Sequence, residues 1–207
     1  MDPLEDRNRS IYAFNENLDE AIIEPAADGY AYIIPNFLQK GLNNFFDNIN
    51  YPITIINQVL QGNIEKSLQD TLRFSVNTSI GIFGFFDPAS SMGLPEHDED
   101  FGQTLDVWGV PHGPYLMLPV LGPSSLRDTV AMIPDAFLSP SILIDHEPTV
   151  YSLKFLDLID TRARYLGLES IVIGDEYLFL KDAYYQNREY ESSDGEVEDD
   201  FDSFDDY

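Results

Sequence analysis

The 207-residue chain has no cysteine, a single tryptophan, and only eleven Lys and Arg against thirty-seven Asp and Glu. Without cysteine there are no disulfide staples, no thiol catalysis and no cysteine-based zinc sites. A formal charge of −26 with so few cations argues against nucleic acid, because phosphate binding is driven by cationic neutralisation and counterion release. It argues equally against electrostatic docking on anionic lipid, so any membrane attachment has to come from apolar burial or a covalent lipid. No secretory signal is visible, and no apolar run reaches the roughly 20 residues that a regular transmembrane helix needs. His97, His112 and His146 are scattered, without the i, i+4 spacing of a helical zinc motif. Neither a Gly-x-Ser-x-Gly elbow nor a phosphate-cradling Gly-Lys sequence occurs. The expectation is a protein that is not an enzyme and holds no cofactor or metal. The acidic run Glu96-His97-Asp98-Glu99-Asp100 lacks the alternating acids, central Gly and terminal Glu of an EF-hand, so a solvated loop is preferred to a calcium site.

What is present is 43% hydrophobic residues, enough for one domain with a sizeable core. Between Thr71 and Asp128 aromatic and aliphatic clusters are cut every few residues by Gly or Pro, as in Ile80-Gly-Ile-Phe-Gly-Phe-Phe-Asp-Pro88 and Gly113-Pro-Tyr-Leu-Met-Leu-Pro-Val-Leu-Gly-Pro123. Apolar content this broken cannot span a bilayer as a regular helix, but it could lie in one leaflet. The pattern points to lipid handling. From Gln186 onward the composition collapses to ten acids and one Arg with isolated aromatics. Domain bounds of 1–187, followed by a disordered acidic tail over 188–207, are therefore expected.

The remainder reads as helices. Asn63 is placed to cap a helix whose apolar row, Ile64, Leu68, Leu72, Val76 and Ile80, stops at Gly81 as a left-handed terminator. Pro148 and Gly167 bracket a second helix. Asp6 to Ile23, Pro35 to Ile49, Pro52 to Leu60, Ser124 to Phe137 and Asp175 to Asn187 also carry helical spacing. Strand-like alternation is scarce, Pro88 to Asp100 reads as a polar loop, and Phe45-Phe46 with Phe83, Phe85 and Phe86 are expected in a core.

The ordered signatures Asp2-Pro3-Leu4-Glu5, Asn8-Arg9, Phe14-Asn15, Gly41-Leu42, Asn44-Phe45, Arg73-Phe74, Asn77-Thr78, Gly81, Gly84 and Asp87-Pro88-Ala89 resemble the MlaA (VacJ) family. These are outer-membrane lipoproteins of Gram-negative bacteria that remove mislocalised phospholipids from the outer leaflet. The resemblance implies an all-α fold, a flattened ring of helices with a central amphipathic channel, lodged in the inner leaflet facing the periplasm. It implies phospholipid, the outer-membrane bilayer, a trimeric porin and a periplasmic lipid carrier as partners. It also implies a lipid anchor; Met1 directly before Asp2-Pro3 reads as a start placed where the processed lipoprotein begins, with the acceptor cysteine gone. By the same resemblance a pore-flanking loop lies at Tyr115 to Gly122, including Met117, Leu118, Val120 and Leu121, and a gating position at Asn44-Phe45.

Scarce cations beside apolar surface complete the candidate lipid path. Arg73 and Asn77, one helical turn apart, are either an internal pair or polar spots along the path. Arg127 beside Asp128 and Arg162 on an apolar helix face are more often structural ion pairs than phosphate ligands. Two other readings stand beside transport: an anchored helical scaffold that contacts porin or peptidoglycan without a passage, and a lipid hydrolase, which the scattered histidines disfavour.

Overall fold

The structure, a computed structural model, describes residues 4–167 and 174–193. It consists of helices with one short hairpin: α1 (Glu5–Leu18), a π-helical segment (Asp19–Ile23), α2 (Glu24–Ile33), α3 (Asn36–Gln61), α4 (Ile64–Ser79), α5 (Pro88–Ser91), α6 (Phe101–Val107), β1 (Tyr115–Leu118), β2 (Gly122–Ser125), α7 (Leu126–Leu138), a 3-10 turn (Pro140–Leu143), α8 (Glu147–Arg164) and α9 (Glu176–Ser192). Helix α3 is the hub, packing on α4, α6, α7 and α8, while α2 lies on α8 and α9 touches α6 and β2.

Several sequence expectations are corrected. Pro52 does not split α3, which runs unbroken through it. The ring costs one backbone hydrogen bond, but Phe46 and Tyr51 on one side and Thr54, Asn57 and Gln58 on the other are all buried, so packing holds both halves in line. The first helix passes through a π segment just before Pro25, where a missing N–H is tolerated by the altered hydrogen-bond register. Helices α2 and α6 do not stand out in the spacing, and the first four residues of the stretch that reads as a polar loop, Pro88–Ser91, form α5. The stretch expected as a loop from Tyr115 to Gly122 is mostly an antiparallel hairpin, with Tyr115 opposite Ser125 and Leu118 opposite Gly122. Four-residue strands are too short for alternation to stand out. At the far end α9 continues past residue 187 to Ser192, held by the buried Arg188. The rest of the expected tail, from residue 194, lies outside the described residues.

The largest departure concerns which faces are buried. In the expected apolar row of α4, Ile64, Leu68, Leu72 and Ile80 are each more than half exposed and only Val76 is buried, whereas Ser67, Asp70, Arg73 and Asn77 face inward. Phe83 and Phe86 likewise point outward rather than into a core. Among the described residues, eleven hydrophobic side chains are buried against eighteen polar or charged ones. The apolar packing that does exist is two small clusters, Ile23, Ala27 and Ile159 between α2 and α8, and Tyr115, Met117 and Tyr177 between the hairpin and α9.

Polar contacts therefore do the work of assembly. Two asparagines on α1 grip the hairpin: Asn8 donates to the Tyr115 carbonyl at 3.0 Å and accepts from the Met117 N–H at 3.0 Å. Asn15 does the same with the Leu118 carbonyl at 2.9 Å and the Val120 N–H at 2.8 Å. Asn8 is 1% exposed, so its removal strands two buried backbone groups. Asn8→Leu is expected to destabilise the fold by about 2–6 kcal/mol, the sum of two unsatisfied buried groups. An unchanged thermal midpoint in detergent would show that the grip contributes nothing.

Candidate functional site

Three of the candidate path residues, Asn44, Arg73 and Asn77, converge on one cavity between α3 and α4, lined also by Asp47, Asn48, Tyr51, Asp87 and Glu96. Spacing on α3 explains the wall: Asn44, Asn48 and Tyr51 recur at i, i+4 and i+7 and share a face. Across from them Arg73 and Asn77 share a face of α4. The two helices meet through the Gly62-Asn63 turn, where Gly62 is left-handed at φ 88°; Asn63 precedes α4, but its side chain does not cap it.

A tight loop after α4 closes the end of the cavity. Gly81 is not the left-handed terminator; Ile82, Phe83 and Gly84 are, at φ 57°, 56° and 90°. Left-handed φ is strained for Ile and Phe, and the hydrogen bonds Phe83 N–H to Thr78 carbonyl and Gly84 N–H to Asn77 carbonyl hold it. Gly81 is needed for another reason: a Cβ there would sit 2.2 Å from the Phe86 carbonyl oxygen. The loop leans on α3, where the Phe85 ring occupies the space a side chain at Gly41 would fill and Asn44 donates to the Phe85 carbonyl at 3.4 Å.

Arg73 is 3% exposed and fully engaged at its two terminal nitrogens. Nη2 donates to Asp87 at 2.9 Å and Glu96 at 3.0 Å; Nη1 donates to the Ser90 hydroxyl at 2.9 Å and the Leu94 carbonyl at 3.0 Å. Asn77 donates to Asp87 at 2.9 Å and accepts from the Ala89 N–H at 3.1 Å. Asp87 also caps α5. Burial works against its ionised form, but the Ser90 hydroxyl and N–H, Asn77 and Arg73 together outweigh it and hold the carboxyl below the ordinary aspartate range. The Asp87-Pro88-Ala89 signature is thus a clamp on Arg73 and Asn77. Nearby, His97 Nδ1 lies 2.8 Å from the fully buried Asp70, whose carboxyl is raised by burial.

The remaining candidates lie elsewhere. Phe45 packs edge-on to Phe46, ring centroids 5.5 Å apart, and does not line the cavity. Tyr115 and Met117 are buried against α1 and α9, Leu118 is half-buried, and Val120 and Leu121 are exposed at the hairpin tip. Arg127 is closed off by Asp106 and by Asp128 at 2.9 Å. Arg162 forms a two-pronged pair with Asp19 at the start of the π segment, Nε and Nη2 reaching its two oxygens at 2.9 and 2.8 Å. Both are ion pairs, the commoner of the two alternatives read from sequence. Sequence reasoning missed Asp47, Asn48, Tyr51 and Glu96 on the cavity wall, although the polar i, i+4, i+7 series on α3 was there to be read. It also missed Arg188, which joins Asp100, Asp128 and Glu191.

Asp47 and Asp98 reach solvent, yet the surrounding protein strips part of their hydration and neighbouring acids, Glu96 for Asp47 and Asp100 for Asp98, add repulsion. Their carboxyls are pushed up from 3.8 to about 6. Both hold a proton more firmly folded than unfolded, so the stability they contribute is present below 3.8 and lost as pH rises to about 6. Because both are open to water the effect is small. In thermal unfolding across that window, the Asp47→Asn, Asp98→Asn double variant is expected to lose less stability with rising pH than the wild type; parallel curves would contradict the assignment.

Comparison with known proteins places these features. A chain solved in work on the structural basis for maintenance of bacterial outer membrane lipid asymmetry superposes with a TM-score of 0.83 at 30% identity, covering 93% of this chain and 99% of that one. The intermembrane phospholipid transport system lipoprotein MlaA of Escherichia coli is 34% identical over 203 residues, 95% of this chain and 80% of that protein. A protein of Rickettsia felis is 35% identical over 192 residues, 91% of this chain and 76% of its own. With the sequence model of the MlaA lipoprotein matching residues 1–191, the chain belongs to the MlaA lipoprotein family.

Proposed function

We propose that this protein is the outer-membrane component of an intermembrane phospholipid transport system, removing mislocalised phospholipid from the outer leaflet and passing it to a periplasmic carrier without catalysis. The observation that carries this reading is the inverted burial of α3 and α4: apart from Phe46, Tyr51 and Val76 the buried side chains are polar, while most of the aliphatic ones lie outside. An exterior of that kind suits a hydrocarbon surround rather than water. Among the described residues no helix is long and apolar enough to cross a membrane, which fits a body seated in one leaflet. Relatives of E. coli and Shigella flexneri bear the name of an intermembrane phospholipid transport lipoprotein.

Energetics gives the polar interior a purpose. Drawing a two-chain phospholipid from bilayer into water exposes roughly 30 methylene groups at about 0.8 kcal/mol each, a cost on the order of 20 kcal/mol. A protein lowers that barrier if acyl chains slide along apolar residues while the headgroup follows a polar line. In this reading the helices enclose an amphipathic channel, the cavity at Asn44, Arg73 and Asn77 lies on its polar side, and Val120 and Leu121 of the hairpin tip lie on its apolar side. Seating against a trimeric porin and a lipid-anchored terminus in the inner leaflet belong to the same proposal. The −26 charge favours release toward the periplasm over retention on anionic headgroups.

The hairpin tip supplies the test. Leu121 is 67% exposed, so Leu121→Glu leaves packing untouched, while Met117→Glu buries a charge and unfolds the hairpin. Expressed in cells lacking the native protein, Leu121→Glu is expected to cut lipid removal from the outer leaflet about tenfold or more, the worth of one apolar contact, with an unchanged thermal midpoint. Wild-type asymmetry in that variant would remove the hairpin from the path.

A further inference from the structure

The cavity between α3 and α4 carries more than its neighbours explain. It has room for about one water-sized group. Asn48, 6% exposed, lines it; its Nδ2 donates to the Thr78 hydroxyl at 2.9 Å, but its Oδ1 is buried with no hydrogen-bond partner. On the opposite wall the Nε–H of Arg73 is also buried and unpartnered. Three carboxylates, Asp47, Asp87 and Glu96, line the cavity against that single guanidinium, so the site is acceptor-rich and negative even after Arg73 has been neutralised.

An unmet acceptor beside surplus carboxylate is complementary to a small cation rich in N–H donors. A primary ammonium is water-sized and carries three N–H donors with no acceptor, matching Asn48 Oδ1 and the carboxylates, while the headgroup phosphate would stay outside the cavity. Trimethylammonium offers no N–H donor and exceeds the space. Its usual recognition, a cage of aromatic faces, is absent from this wall: Tyr51 is the one aromatic lining residue, and the Arg73 guanidinium already lies 5.9 Å from its ring. A purely anionic headgroup would leave Asn48 Oδ1 unmet and meet excess like charge.

Resting on the transport reading above, we propose that the Asn48 cavity admits the primary ammonium of an ethanolamine-type phospholipid headgroup and discriminates against choline-type and anionic headgroups. The test follows the Asn48 side-chain amide by NMR in the full chain, held in detergent micelles. The probes are dihexanoyl phosphatidylethanolamine, dihexanoyl phosphatidylcholine and free ethanolamine. The ethanolamine lipid is expected to shift the Asn48 signal with an affinity about tenfold or more above that of the choline lipid, the difference made by one charge-assisted hydrogen bond. Asn48→Leu is expected to level the two lipids. Should that variant not fold, the wild-type comparison still decides. Equal affinities, or a signal that answers neither lipid, leave a trapped water as the occupant and overturn the proposal. Free ethanolamine binding as tightly as the lipid would make the site one for soluble amines and overturn it too. The transport reading fails separately, if lipid is not removed from vesicles while ammonium binding at Asn48 persists.

Discussion

A polar side chain taken out of water must find partners, and in this protein that requirement governs the interior almost everywhere. Helices α3, α6 and α7 meet through Asn57, which accepts from Thr104 at 2.8 Å and donates to Asp135 at 3.3 Å. Gln58 and Gln61 share the buried Glu99. The buried guanidiniums of Arg73, Arg127 and Arg188 each face two or more carboxylates. Removing one partner of such a set leaves an uncompensated buried charge and costs more than the pair contributes. With only two small apolar clusters among the described residues, the fold depends on these sets being complete.

That arrangement frees the apolar residues for the outside. Ile64, Leu68 and Leu72 of α4 and Ile80, Ile82, Phe83 and Phe86 around its end are all exposed, which in water would be a liability. The same inversion links fold and function, since a protein that handles amphiphiles in a membrane needs a greasy exterior and a wet line within. The loop after α4 serves both: its strained left-handed residues turn Ile82 and Phe83 outward while Phe85 fills the gap over Gly41 on α3.

Much of this was legible in the sequence, and the failures have a common cause. Helix spacing located α4, α7, α8 and α9 to within a few residues, and the family signatures include Arg73, Asn77 and Asp87 of the clamp, whereas the hairpin reads from sequence only as a loop. Burial direction was misread because periodicity reports that one face of a helix is apolar, not that the apolar face looks inward. Once the outside is taken as apolar, the polar series Asn44, Asn48 and Tyr51 becomes the informative one. Arg188 was assigned to a solvated tail because composition averages over a window; one arginine among acids reads as noise until Asp100 and Asp128 come from distant elements to meet it. Helix α6 was hidden because its cap, Asp100, closes an acidic run that looks like loop.

The asparagine grip on the hairpin has one more effect. On the side facing α1, the β1 strand and its tip would ordinarily present an open row of carbonyls and amides, a template on which a stray extended segment can pair. Here amide side chains occupy the positions a third strand would use, so the two-stranded sheet is sealed there without any further strand, and oligomerisation by sheet extension is closed to it on that side.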